Sequence, residues 1–198
     1  MLGNTDMNET GPPKAETQDG RVTGEENARK ARETADRLFP GHEWKKVEDG
    51  IHLSPHRPIG KKSNYKDELR SAQILRDFGS TVYLAPERSR EKGKKHDAIV
   101  DGLVFEFKNI GGNAGTLATM FLRSRSQAPN VFLNLETSEL TRHEVMTALH
   151  GARNSKTHAT GKGATVKGYA DINQFDGGIV VLKLKGQENL VYLNVNDL

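Results

Sequence analysis

The stretch Lys95-His96-Asp97-Ala98-Ile99-Val100-Asp101-Gly102-Leu103-Val104-Phe105-Glu106-Phe107-Lys108 decides how this chain is read. Two β-branched and aromatic runs flank Asp101-Gly102, the dipeptide best suited to a two-residue type I′ turn. With those two residues as the loop, Val100 pairs with Leu103, Ile99 with Val104, Ala98 with Phe105, and Asp97 with Glu106. Side chains alternate along each strand and share a face across a pair. One face then carries Ala98, Val100, Leu103, Phe105 and Phe107. The other carries Asp97, Ile99, Val104, Glu106 and Lys108. Directly opposed carboxylates repel, and a divalent cation between them reverses that sign. Hard oxygen donors suit Mg²⁺ or Mn²⁺, with Zn²⁺ left open. Lys108 adds a cation on the same face.

Upstream, Tyr65 to Phe78 reads as a helix with Asn64 as N-cap and Gly79 as its stop. Tyr65, Leu69, Ala72, Leu75 and Phe78 recur at helical spacing. Glu68 precedes Ala72 by one turn and Leu75 by two, which puts it on or beside the buried face. An acid there needs either a function or a partner, with Lys66 and Arg70 the nearby cations. If Ile99 and Val104 bury against this helix, Glu68 can reach the metal as a third ligand. Thr81 to Leu84 is a short strand, and the run Arg88, Arg90, Lys92, Lys94, Lys95 leads straight into Asp97. With His96, those residues are expected to face phosphate.

Downstream, a helix is expected from Thr116 to Gln127, burying Leu117, Met120 and Phe121 and exposing Arg123 and Arg125. Asn130 to Leu135 reads as a buried strand. Thr141 and Glu144 form a capping box for a helix ending near Leu149 and Gly151. No acid falls between Val145 and Ala170, where Arg153, Lys156, Lys162 and Lys167 mark a basic, glycine-rich loop, and Arg153 and Lys156 are expected to hold a nucleic-acid backbone by charge. Ile179 to Leu184 and Leu190 to Val195 form a last hairpin.

Residues 1 to 40 read as a polar, flexible tail or the remnant of a delivery region, with an exposed helix from about Glu25 to Leu38. Residues 41–198 then form the catalytic domain, with its core at 65–151. Trp44, Val47, Ile51 and Leu53 are a small apolar set beside His52, His56 and Arg57, and two histidines alone make a poor metal site. The chain has 198 residues and no cysteine, which excludes a disulfide framework and thiolate zinc sites. This suits a reducing cytoplasm, or a protein that unfolds to cross a membrane. No apolar run approaches a membrane span. A net charge of +3 leans towards an anionic partner.

A metal held by carboxylates with a lysine beside it can activate water, polarise a phosphoryl oxygen and stabilise the charge that develops. The order Glu68 on a helix, a strand, Asp97, then Glu106-Phe107-Lys108 resembles the PD-(D/E)XK, or restriction-endonuclease-like, nuclease superfamily. It is most similar to the C-terminal tRNase domains of contact-dependent growth inhibition and other polymorphic toxins, through Glu68, Ala72, Leu75, Gly79, Val82-Tyr83-Leu84-Ala85-Pro86 and the lysine-rich approach to Asp97. The resemblance implies an α/β fold with a mixed central sheet flanked by helices, here with an extra C-terminal hairpin. It also implies metal ligation by Glu68, Asp97 and Glu106, with Lys108 as the catalytic lysine.

Such toxins reach target cells as part of a larger secreted or cell-surface protein, act in the target cytoplasm, and travel with an immunity protein. A basic cleft would attract an acidic one. One departure is that His96, not proline, precedes Asp97. The expected substrate is nucleic acid, tRNA ahead of DNA. A DNA endonuclease of restriction, repair or phage type, or an inactive nucleic-acid-binding module, are the alternatives. Aromatic residues are scarce, so base stacking would rest on few side chains.

Overall fold

A computed structural model describes residues 18–57, 59, 64–86, 96–154 and 177–198. Eight strands form one mixed sheet whose spatial order is the chain order. They are β1 (Lys45–Glu48), β2 (Ile51–Leu53), β3 (Val82–Leu84), β4 (Ala98–Val100), β5 (Leu103–Asn109), β6 (Asn130–Leu135), β7 (Ile179–Leu184) and β8 (Val191–Asn194). The helices are α1 (Gln18–Leu38), α2 (Tyr65–Asp77), α3 (Ala114–Arg125) and α4 (Arg142–Asn154). The pairs β2–β3, β5–β6 and β6–β7 are parallel, and the other pairs are antiparallel. Parallel neighbours cannot be joined by a tight turn, and here α2, α3 and α4 stand in the connections. Among the described residues no helix is long and apolar enough to cross a membrane.

The β4–β5 hairpin has the expected register, Val100 with Leu103, Ile99 with Val104 and Ala98 with Phe105. Asp101 (φ 50°) and Gly102 (φ 87°) both occupy the left-handed region that a type I′ turn requires. Asp101 tolerates it while its carboxylate accepts a 2.8 Å hydrogen bond from the Thr81 amide. The final hairpin, β7–β8, is likewise antiparallel.

The two faces of the sheet are covered by different helices, and not as the helical spacing predicts. Helix α2 packs on the face bearing Ala98, Val100, Phe105 and Phe107, through Ala72, Ile74 and Leu75. Ile99 does not lie under α2. It is fully buried beneath α1, beside Tyr83, Ala31 and Ala35. Because side chains alternate, a helix that gathers Ala98 and Val100 must leave Ile99 to the opposite side.

The polar N-terminal stretch is accordingly not all tail. Residues 18–38 form α1, with Ala31 and Ala35 one turn apart and fully buried on the sheet. Thr34 donates through Oγ1 to the Gly102 carbonyl at 3.1 Å. The exposed side of α1 carries the pairs Arg29–Glu33, Lys30–Glu26 and Arg32–Asp36. A stripe of alanines buries too little apolar mass to stand out among so many charges.

Helices α3 and α4 cover β6 and β7 on the same side as α1, through Leu117, Phe121, Val145 and Leu149 against Val131, Leu133, Val180 and Leu182. Asn113 caps α3 by accepting from the Thr116 amide at 3.0 Å. Thr141 and Glu144 make the predicted capping box. Two details differ from expectation. Arg125 is buried and donates to the carbonyls of Pro129 and Gly177, which anchors the start of β7. Helix α4 continues past Gly151 to Asn154 because Ala152 still has apolar surface to bury.

Candidate active site

The chain leaves β2 and β3, and enters β4, at one edge of the sheet. This is also the carboxyl edge of the parallel strand β5, where ligands of open α/β sheets collect. Glu68 sits in the first turn of α2 at this edge and is buried. Its carboxylate is paired with Arg57, which is buried too. The Arg57 guanidinium also donates through Nη1 to the carbonyls of Ala85 and Asp97, the second at 3.3 Å. One buried cation thus ties together the loop after β2, the start of α2, the end of β3 and the approach to β4.

Arg57 is the residue that sequence reasoning missed. Both cations considered for Glu68 are local, and Arg70 instead grips Glu136 at 3.0 Å. A signal was present: an acid on a buried helix face demands a cation, and Arg57 lies between Pro55 and Pro58 in the segment that joins β2 to α2.

At Asp97 the strand pairing stops. Its amide donates to the Phe105 carbonyl at 3.0 Å. Its carboxylate accepts from the Phe107 amide at 2.9 Å, so the side chain is pinned along β5. Glu106 is only 2% exposed. Its Oε1 pairs with Lys108, while its Oε2 is buried beside Asp97 and, among the described residues, has no donor to accept from. Burial first, and the neighbouring Asp97 charge second, push the Glu106 carboxyl up to about 8, with Lys108 opposing them. Lys108 retains 24% of its side chain in solvent and is the cation of this group that substrate could meet.

The structure therefore brings Asp97, Glu106 and Lys108 together, and links Glu68 to Asp97 only through Arg57. Among the described residues no three His, Cys, Asp or Glu side chains are grouped closely enough to hold a metal ion. The Asp97–Glu106 pair still fits a hard divalent cation. Two adjacent carboxylates, one with a buried oxygen that finds no donor among the described residues, are the oxygen-only donor set that Mg²⁺ accepts when substrate and water complete its shell. The third ligand expected from Glu68 is not supplied here, because α2 lies on the other face of the sheet and Arg57 holds its carboxylate.

Of the residues expected to face phosphate, His96 adjoins Asp97 and packs on Phe39, ring centroids 5.6 Å apart. Arg153 does not join the site. It lies in the last turn of α4, which runs back to the start of β7, and His150 one turn earlier meets the Leu198 carbonyl at 2.8 Å. Arg88, Arg90, Lys92, Lys94, Lys95 and Lys156 lie outside the described residues. A groove of about 660 Å³ between α3 and α4, lined by Ala118, Leu122, Ala148 and Ala152, contains none of the site residues.

No family model and no curated protein matches the chain. Among solved structures, the CdiA-CT/CdiI toxin and immunity complex from Burkholderia pseudomallei contains a chain that aligns with a TM-score of 0.47 at 20% identity. The alignment covers 71% of this chain and 97% of that one.

Proposed function

We propose that this chain is a metal-dependent nuclease of restriction-endonuclease-like type, the toxic domain of a contact-dependent growth inhibition or related delivered toxin, with tRNA as substrate. One observation carries the chemistry. Glu106 is buried against Asp97 with an oxygen that finds no donor among the described residues, and Lys108 reaches from the same strand to solvent. A fold gains nothing from burying a carboxyl beside a second carboxylate, where burial first and the neighbouring charge second hold a proton on it. A site that must receive a cation does gain from it.

Asp97 and Glu106 would hold Mg²⁺ or Mn²⁺. A bound ion of this kind lowers the pKa of water and polarises a phosphoryl oxygen. The chain's own groups do the rest. The hydrogen bond from the Phe107 amide fixes the Asp97 carboxylate. Arg57 fixes the backbone carbonyl of the same residue. Lys108 places a positive charge where the phosphate gains negative charge as the P–O bond breaks. Glu68 serves by neutralising Arg57, whose charge would otherwise repel a cation.

The toxin context, the tRNA substrate, the acidic immunity partner and delivery into a target-cell cytoplasm follow from the sequence resemblance between Glu68 and Lys108. The test is incubation with total tRNA and with plasmid, each with Mg²⁺ or with EDTA, using the native protein, Asp97→Asn and Lys108→Ala. Cleavage of tRNA that needs Mg²⁺ and disappears in both variants is expected, with losses of at least a hundredfold. Cleavage of plasmid alone overturns the tRNA assignment. Activity unchanged in both variants overturns the site.

A further inference from the structure

Beside this site the tertiary fold gathers aromatic rings that are scattered in the sequence. Phe39 contacts His42 (centroids 5.4 Å), His96 (5.6 Å) and Trp44 (5.8 Å), and His42 contacts His56 at 5.0 Å. Phe39 and Trp44 are anchored from below on the α1 cluster of Ala31, Ala35, Tyr83 and Ile99. His56 is exposed, and Phe39, His42 and His96 are half-buried. The group abuts the site at two covalent neighbours, His96 beside Asp97 and His56 beside the positioning residue Arg57.

Packing alone does not account for this composition. Three imidazoles and an indole seal a helix less well than aliphatic side chains of similar volume. Here His42 Nε2 and Trp44 Nε1 are buried without hydrogen-bond partners among the described residues, an expense that a purely structural cluster would avoid. What these side chains share is a flat π face. Rings at a surface, rigidly backed and adjoining a phosphodiester-cleaving site, are what an unstacked nucleobase needs.

We propose that Phe39, His42, His56 and His96 form a platform on which a base next to the scissile phosphate stacks. The protein would thereby act on single-stranded or splayed-out RNA rather than on the interior of a duplex. The proposal rests on the nuclease reading above for the identity of its ligand. It also supplies a recognition element that owes little to charge. Stacking removes no counterions, so its loss lowers affinity at every salt concentration by the same factor, whereas loss of a phosphate contact flattens the salt dependence.

The experiment measures binding of a short single-stranded RNA carrying one 2-aminopurine, in EDTA so that nothing is cleaved, over a range of salt. The proteins are the native chain, His56→Ala and Phe39→Leu, the latter keeping an apolar side chain on the α1 cluster. Native protein should quench the 2-aminopurine. Each variant should bind about tenfold more weakly with an unchanged salt slope, as for loss of one base stack. Affinity within about twofold of native in both variants, or a slope that falls together with affinity, overturns the platform. If native protein quenches and the variants do not, yet no RNA is cleaved with Mg²⁺, the platform stands and the nuclease reading fails. If RNA is cleaved but the variants bind and quench as native does, the platform fails and the nuclease reading stands.

Discussion

Replacing Glu106 by glutamine should make the metal-free protein more stable, increasingly so as pH rises above about 4.5. In the folded state the carboxyl titrates at about 8 instead of 4.5. Between those values the native protein holds a proton that the unfolded chain has released, so stability falls as pH rises through this window. The stabilising contribution is complete below about 4.5 and lost once pH passes about 8. At about 1.4 kcal/mol per unit, the shift corresponds to a ceiling near 5 kcal/mol. Water reaching the site along partly exposed Lys108 screens part of that, which leaves about 2 to 4 kcal/mol.

Urea unfolding in EDTA at several pH values, native against Glu106→Gln, measures the difference directly. The curves should coincide near the acid end of the window and separate progressively until about pH 9. Adding Mg²⁺ at the alkaline end should then stabilise the native protein and leave Glu106→Gln unmoved, because the amide cannot offer the ion a charge. Parallel pH profiles for the two proteins, or a variant less stable than native in alkali, would refute the reasoning that burial and Asp97 hold the proton on Glu106.

Arg57→Met leaves Glu68 buried without its cation and should cost about 3 to 5 kcal/mol in urea unfolding. The double variant with Glu68→Gln should recover a large part of that loss, and strictly additive effects would show that the two side chains do not interact. Gly102→Ala should loosen α1: the turn needs a left-handed φ of 87°, and an added Cβ would lie 3.2 Å from the Lys30 backbone. Limited proteolysis should then cut within residues 18–38 faster than in the native protein, while an unchanged pattern would mean that α1 is held by other contacts.

Local chemistry carried much of this structure in plain view. Asp101-Gly102 selects one turn type, a turn type sets one register, and that register places Asp97 and Glu106 together without reference to anything distant. The helical spacing around Glu68 announced its burial, and Thr141 with Glu144 announced the start of α4. Each of these rests on interactions within a few residues, which a one-dimensional pattern records.

Which side of the sheet each helix covers was not recorded there. Alternation divides Ile99 from Ala98 but does not say which of them meets α2, because both faces of a buried strand are apolar. The docking of α1 depended on two alanines finding Tyr83 and Ile99, and small side chains leave little trace in hydropathy. The pairing of Glu68 with Arg57, and the convergence of Phe39, His42, His56 and His96, join segments separated by loops whose length says nothing about where their ends meet. The sequence alone therefore determined the hairpin, its opposed carboxylates and the lysine beside them. Only the tertiary structure decided what surrounds them: Arg57 rather than a metal against Glu68, and a set of rings at the edge where the carboxylates stand.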